Sequence, residues 1–106
     1  MPYFAVTRDA GPGWVEGEGA FGQPGASEHA AFMNQLAEAG FARLAGPLAG
    51  SEAGRIRVLL IADSQSEREV WDRLAGDPWA RSRTLVTSRV EAWMPIVGAD
   101  RLGPIS

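Results

Sequence analysis

The chain has 106 residues, 45% of them hydrophobic, and a formal net charge of −3: enough apolar material for one small core, and no basic surface for a phosphate-rich partner. Cysteine and lysine are absent, which removes disulfides, thiol nucleophiles, Cys-held zinc or iron–sulfur centres, Schiff bases and P-loop lysines. His29 is the single histidine, the one candidate for acid/base chemistry near neutral pH with an unperturbed side chain.

A lone histidine among scattered carboxylates also argues against a transition-metal site, so no metal and no cofactor is expected. The arginines are dispersed along the chain, consistent with neither nucleic acid nor an anionic membrane as partner. The longest apolar run, Val58 to Ala62, is too short to cross a bilayer, and the N-terminus lacks a charged-then-apolar leader layout. A cytoplasmic location is the expectation.

In chain order, Tyr3 to Arg8 is short, aromatic and β-branched, the pattern of a strand. Asp9 to Ala26 follows, dominated by Gly and Pro, with no sustained period. A loop of that length in a small domain is functional or disordered. Trp14 and Phe21 inside it argue for a flap folded back on the body. Ser27 is the expected N-cap of a first helix whose inward stripe is Met33, Leu36, Ala37 and Gly40, with Phe32 beside it. Gly40 ends that helix, and Phe41 to Leu48 holds a second strand closing at Gly46-Pro47.

After a turn over 49–54, Arg55 to Ala62 is the clearest strand, its continuous apolar run predicting burial on both faces. Ser64-Gln65-Ser66-Glu67 reads as a capping box for a second helix with an inward stripe of Val70, Trp71, Leu74 and Ala75. Asp77-Pro78 starts a short helical turn, Asp as N-cap and Pro at the first helical position. Thr84 to Trp93 closes as a strand. The order βαββαβ defines an α+β, ferredoxin-like arrangement: a four-stranded antiparallel sheet with two helices on one face. Its other face is left open, and a homodimer through that face is the natural completion. Residues 1–97 form the expected domain, with 9–26 as its flap and 98–106 as a tail.

His29 falls near the N2 position of its helix on this reading, where the helix dipole favours a neutral imidazole able to accept a proton. It is equally the kind of histidine that packs at a helix end. Asp77 either caps its turn, or also accepts a hydrogen bond from one imidazole nitrogen so that the other points outward as a base. Gly46 and Pro47 either end a strand or allow close approach to the backbone. Trp79, Phe32 and Met33 form a pocket wall or simply core, and Trp71 is assigned to core. Arg81 and Arg83 offer forks for an anionic substrate, or pair with Glu28 or Glu91. Tyr3 lends a hydroxyl to the site or merely packs.

Taken together over about residues 3 to 97, Glu28-His29-Ala30-Ala31-Phe32-Met33, Leu36, Gly40-Phe41, Gly46-Pro47-Leu48, the strand near Ile56 and Asp77-Pro78-Trp79 resemble the YciI-like (YCII-related) family. The resemblance implies a dimeric α+β barrel of ferredoxin-like subunits, with an active site around a His and an Asp, here His29 and Asp77, and a Gly-Pro pair, here Gly46 and Pro47. It implies lyase-type chemistry that removes a small group from a ring-derived substrate. One departure is the segment Asp9 to Ala26, longer than in the smallest members of the family.

The expectation that emerges is a cofactor-free lyase or isomerase. In it His29 takes a proton from carbon beside a carbonyl, Asp77 orients the ring, and Gly46, Pro47, Trp79, Phe32, Trp14 and Arg81 bind a small carbonyl- or ring-derived molecule. Two other readings are a ligand-binding or accessory dimer without turnover, and a cofactor-free monooxygenase.

Overall fold

Along β1 (Tyr3–Ala10), Phe4 and Val6 point to one side of the sheet, and Phe41, Ala42, Leu60, Ala62 and Val90 join them in the main core. Leu36 of α1 (Ala26–Glu38) and Val70 and Leu74 of α2 (Glu67–Leu74) close that core from above, so both helices cover the same face. The other strands are β2 (Ala42–Pro47), β3 (Arg57–Asp63) and β4 (Leu85–Trp93), and the order across the sheet is β2-β3-β1-β4 with every pair antiparallel. This is the ferredoxin-like βαββαβ arrangement, with a single-turn helix α3 (Pro78–Arg81) between α2 and β4. The computed structural model describes residues 3–51 and 55–103; the 49–54 turn and the 98–106 tail lie partly outside them.

Helix α1 stops where Gly40 adopts φ +83°, with Gly40 N–H donating to Ala37 O and Phe41 N–H to Leu36 O. That is the double hydrogen bond of a Schellman cap, and Leu36 and Phe41 meet in the core beneath it. The start differs from expectation. Gly25, at φ +78°, is the N-cap, and no side chain caps the helix. Ser27 therefore lies one residue inside the helix, and His29 in its fourth position, where its N–H already bonds to Gly25 O at 2.9 Å. The dipole acts on His29 less strongly there, because it falls off within the first turn.

Other local expectations shift for identifiable reasons. The cap of α2 is Ser66, whose side chain accepts from Glu69 N–H, while the Glu69 carboxylate takes hydrogen bonds from Gln65 N–H and the Ser64 hydroxyl. The cap is displaced two residues along the chain, and only half of the box forms, because Ser66 N–H donates to Ser64 Oγ rather than to Glu69. Trp71 is 37% exposed and donates its indole N–H to Glu67, so it is not core. Ala37 and Ala75 also face solvent. Strand β3 is buried only from Leu60 onward, and Leu59 is exposed on the face away from the helices.

The flap is an ordered loop. Gln23, itself buried, accepts from Val15 N–H and donates to the carbonyls of Val15 and Glu18, binding the loop's two limbs together. Trp14 is buried as expected, whereas Phe21, on a 3-10 turn (Ala20–Gly22), is 99% exposed. After β4 the chain returns through a second 3-10 turn (Ala99–Leu102) to place Leu102 O on the Arg43 guanidinium of β2, at the opposite edge of the sheet. No helix among the described residues is long and apolar enough to cross a membrane.

Candidate functional site

Three elements meet at the Asp77 carboxylate. Pro78 supplies the fixed φ of a first helical position, so Asp77 caps α3, and its Oδ1 accepts from Trp79 N–H at 2.9 Å. The same carboxylate is fully buried, and His29 Nδ1 lies 2.9 Å from each of its oxygens. From β1, Arg8 Nη1 donates to Oδ2 at 2.8 Å. The capping and orienting roles posed as alternatives for Asp77 therefore coexist in one side chain.

Arg8 carries the least expected contact. It is 1% exposed, in a strand position where an arginine ordinarily reaches solvent. A register shift between Thr7 and Arg8 sets Arg8 opposite Thr87 of β4, whose hydroxyl accepts from Nε at 3.2 Å. Met33 Sδ lies 3.9 Å from Nη1. Burial pulls the Arg8 guanidinium below its ordinary value, while the hydrogen bond and charge of Asp77 oppose that pull. For Asp77, burial pushes the carboxyl up. Hydrogen bonds from His29, Trp79 N–H and Arg8, together with the Arg8 charge, outweigh burial and hold it below the usual carboxylate range.

Trp79 fixes the imidazole plane. Its ring stacks on His29 at 4.0 Å between centroids and 9° from parallel, and its indole N–H donates to Pro24 O at 2.8 Å. Trp14 meets Trp79 in an edge-to-face arrangement, at 6.1 Å between centroids. With the proton on Nδ1 donated to an ionised Asp77, Nε2 keeps its lone pair. Among the described residues Nε2 has no hydrogen-bond partner, and the side chain is 18% exposed. Chemically, the arrangement is an oriented imidazole whose outer nitrogen can accept a proton.

The remaining expected residues divide. Trp14 and Pro47 line a cavity of about 560 Å³ with Glu16, Ala20, Phe21 and Ile56, but His29 and Asp77 are not in its wall. Trp79 and Trp14 stand between that cavity and the imidazole. Phe32 packs against Gly76 rather than lining the cavity. Gly46 has no atom within 4 Å of where a Cβ would stand, so no neighbouring group requires a glycine there. Arg81 and Arg83 are exposed on and just after α3, and neither makes an ion pair among the described residues. Glu91 pairs with Arg89 instead. Tyr3 sits at the far end of β1 and on the opposite face from Arg8, about 17 Å along the strand, and takes no part. No group of His, Asp and Glu able to hold a metal ion occurs among the described residues.

Fold and site together define a ferredoxin-like α+β protein with a buried Arg-Asp-His cluster at the junction of β1, α1 and α3. The solved structure of 5-chloro-2-hydroxyhydroquinone dehydrochlorinase (TftG) from Burkholderia phenoliruptrix AC1100, in complex with 2,5-dihydroxybenzoquinone, is similar to this chain. The TM-score is 0.66 and the identity 21%, over 87% of this chain and 93% of that one. At this identity the likeness establishes the fold. No protein-family profile matches the chain, and no curated protein matches it.

Proposed function

We propose that this protein is a cofactor-free enzyme of lyase or isomerase type, with His29 as general base and Asp77 as the group that orients it. The observation that carries the reading is the placement of His29 Nδ1 at 2.9 Å from both Asp77 oxygens, which leaves Nε2 as the acceptor. In the proposed step, Nε2 takes a proton from a carbon beside a carbonyl. The electron pair left on the substrate then either expels a leaving group or is reprotonated at another carbon. General base catalysis contributes about 10²- to 10⁴-fold.

The similar fold of a dehydrochlorinase bound to 2,5-dihydroxybenzoquinone supports small ring-derived carbonyl compounds as the substrate class. The YciI-like resemblance supports the same chemistry and the assignment of His29 and Asp77. Leu44, Leu59 and Trp93, exposed on the sheet face opposite the helices, support pairing with a second copy as a dimeric α+β barrel. A second reading, a ligand-binding dimer without turnover, is favoured by one observation: the cavity beside Trp14 excludes His29.

Turnover of a panel of hydroxyquinones, halogenated hydroquinones and small β-dicarbonyl compounds tests the proposal, with unsubstituted protein, His29→Ala and Asp77→Asn in parallel. A substrate turned over by the first and slowed at least about 10²-fold in His29→Ala is the expected result. Equal rates in both would remove His29 as base. Light scattering at monomer mass would remove the dimer.

A further inference from the structure

A buried carboxylate beside an imidazole favours the protonated form of the ring, which weakens it as a base. Here Asp77 Oδ2 is shared between His29 Nδ1 at 2.9 Å and Arg8 Nη1 at 2.8 Å. We propose that Arg8 is a positioning residue that sets the charge state of the His29–Asp77 pair, supplying the positive charge that Asp77 would otherwise draw from a protonated ring. The inference rests on the reading of His29 as the base and adds the group that keeps it one.

Charge accounting makes the role specific. With Arg8 cationic, Asp77 anionic and His29 neutral, the cluster carries no net charge. A proton on His29 then gives it a charge of +1 in a poorly solvated place, where unbalanced charge is costly. During proton abstraction the C–H electron pair stays on the substrate as an enolate-type anion. The cluster at +1 and the substrate at −1 then offset one another. The cluster therefore suits carbon acids whose conjugate base is delocalised beside the ring.

The geometry confines Arg8 to this role. Both Arg8 and Asp77 are buried, so their coupling is weakly screened. Arg8 Nε is tied to Thr87, and among the described residues Nη2 is buried without a hydrogen-bond partner and the guanidinium's one carboxylate is Asp77. On the elements that adjoin the cluster, Glu28 of α1, Glu18 of the flap and Arg81 of α3 are exposed. On the strands, Asp9 accepts from Ser88, and Arg89 pairs with Glu91. Exposed charges of this kind are screened by water and salt.

The single histidine makes the test clean, because one imidazole NMR signal reports on one site. The His29 ring is titrated in the full chain, in Arg8→Met and in Arg8→Lys. Arg8→Met is expected to move the protonation of His29 to higher pH by at least about one unit, a tenfold change in its equilibrium. Arg8→Lys, which keeps the charge, is expected to stay close to the unsubstituted protein. A folded Arg8→Met with an unmoved titration, or an Arg8→Lys that moves as far as Arg8→Met, overturns the proposal. If Arg8→Met does not fold, the Asp77 carboxyl carbon is followed by NMR in the unsubstituted protein. It is expected to remain ionised below the usual carboxylate range, and ordinary titration there also overturns the proposal. These readouts need no substrate, so they stand apart from the turnover assay: equal rates in His29→Ala would remove the base and leave the charge coupling measurable.

Discussion

His29 and Trp79 lie ring on ring, 4.0 Å apart and 9° from parallel, and Trp79 is itself held by Pro24, Trp14 and the cap of α3. Loop, helix start and α3 thus converge on one indole. Trp79→Leu removes the stack, the Pro24 hydrogen bond and the edge contact with Trp14. A destabilisation of about 3–5 kcal/mol is expected from the lost burial, read as a lowered urea midpoint. In whatever fraction remains folded, the His29 ring signal should broaden or split as its plane is released.

Asp77 makes stability depend on pH in a definite direction. Its carboxyl is held below its ordinary value in the folded state. The stabilisation is therefore fully present above the unfolded carboxyl's value, about 4, and is lost as pH falls through the folded value. Asp77→Asn keeps the cap oxygen but leaves Arg8 buried without its counter-charge, at a cost of about 3–5 kcal/mol near neutral pH. The gap between the two proteins should narrow as pH falls below about 4. Urea midpoints from neutral to acid pH check it; a gap that widens in acid contradicts the assignment.

His29 and Asp77 were legible because residue type and local grammar single them out: one histidine at a helix start, and an Asp-Pro turn whose cap role is visible in three residues. The order of the elements along the chain followed from the same kind of periodicity. Arg8 was not legible. It is one of several dispersed arginines in an edge-like pattern, and its burial depends on Asp77, 69 residues away, and on a register shift that no local pattern announces. Trp71 shows the converse. Its spacing places it on the inward stripe, but in this short helix Val70 and Leu74 already fill the core, and its indole N–H finds Glu67 outside. Arg81, the last residue of the single-turn α3, is exposed.

Two glycines should respond oppositely to the same change. A Cβ on Gly11 would stand 2.2 Å from Arg83 O, a backbone atom that cannot swing away. Gly11→Ala should therefore cost more than about 2 kcal/mol and separate the Gly11 N–H from Thr84 O. A Cβ on Gly46 meets nothing, and the residue lies within β2. Gly46→Ala should be neutral to stabilising by about 0.5–1 kcal/mol, since glycine in a strand interior is entropically costly. Thermal midpoints of the two variants decide this, and a strongly destabilised Gly46→Ala would point to a neighbour at that position that the single chain lacks.

The flap's order depends on one side chain more than on its aromatics. Gln23 accepts from Val15 N–H at 2.8 Å and donates to Val15 O at 2.9 Å and Glu18 O at 3.1 Å, so one buried amide adds to the loop's short-range backbone turns the hydrogen bonds that join its two limbs. Gln23→Ala strands Val15 N–H and Glu18 O, while Val15 O keeps Glu18 N–H, and a loss of about 1–3 kcal/mol is expected where they stay buried. The loop can also respond by opening to water, in which case global stability changes little and the Val15 amide loses its protection. Hydrogen exchange distinguishes the two: faster exchange at Val15 is expected in either case, while Arg8, on the paired strand β1, keeps its protection. Unchanged exchange at Val15 would mean that Trp14, packed on Trp79, holds the flap without the clamp.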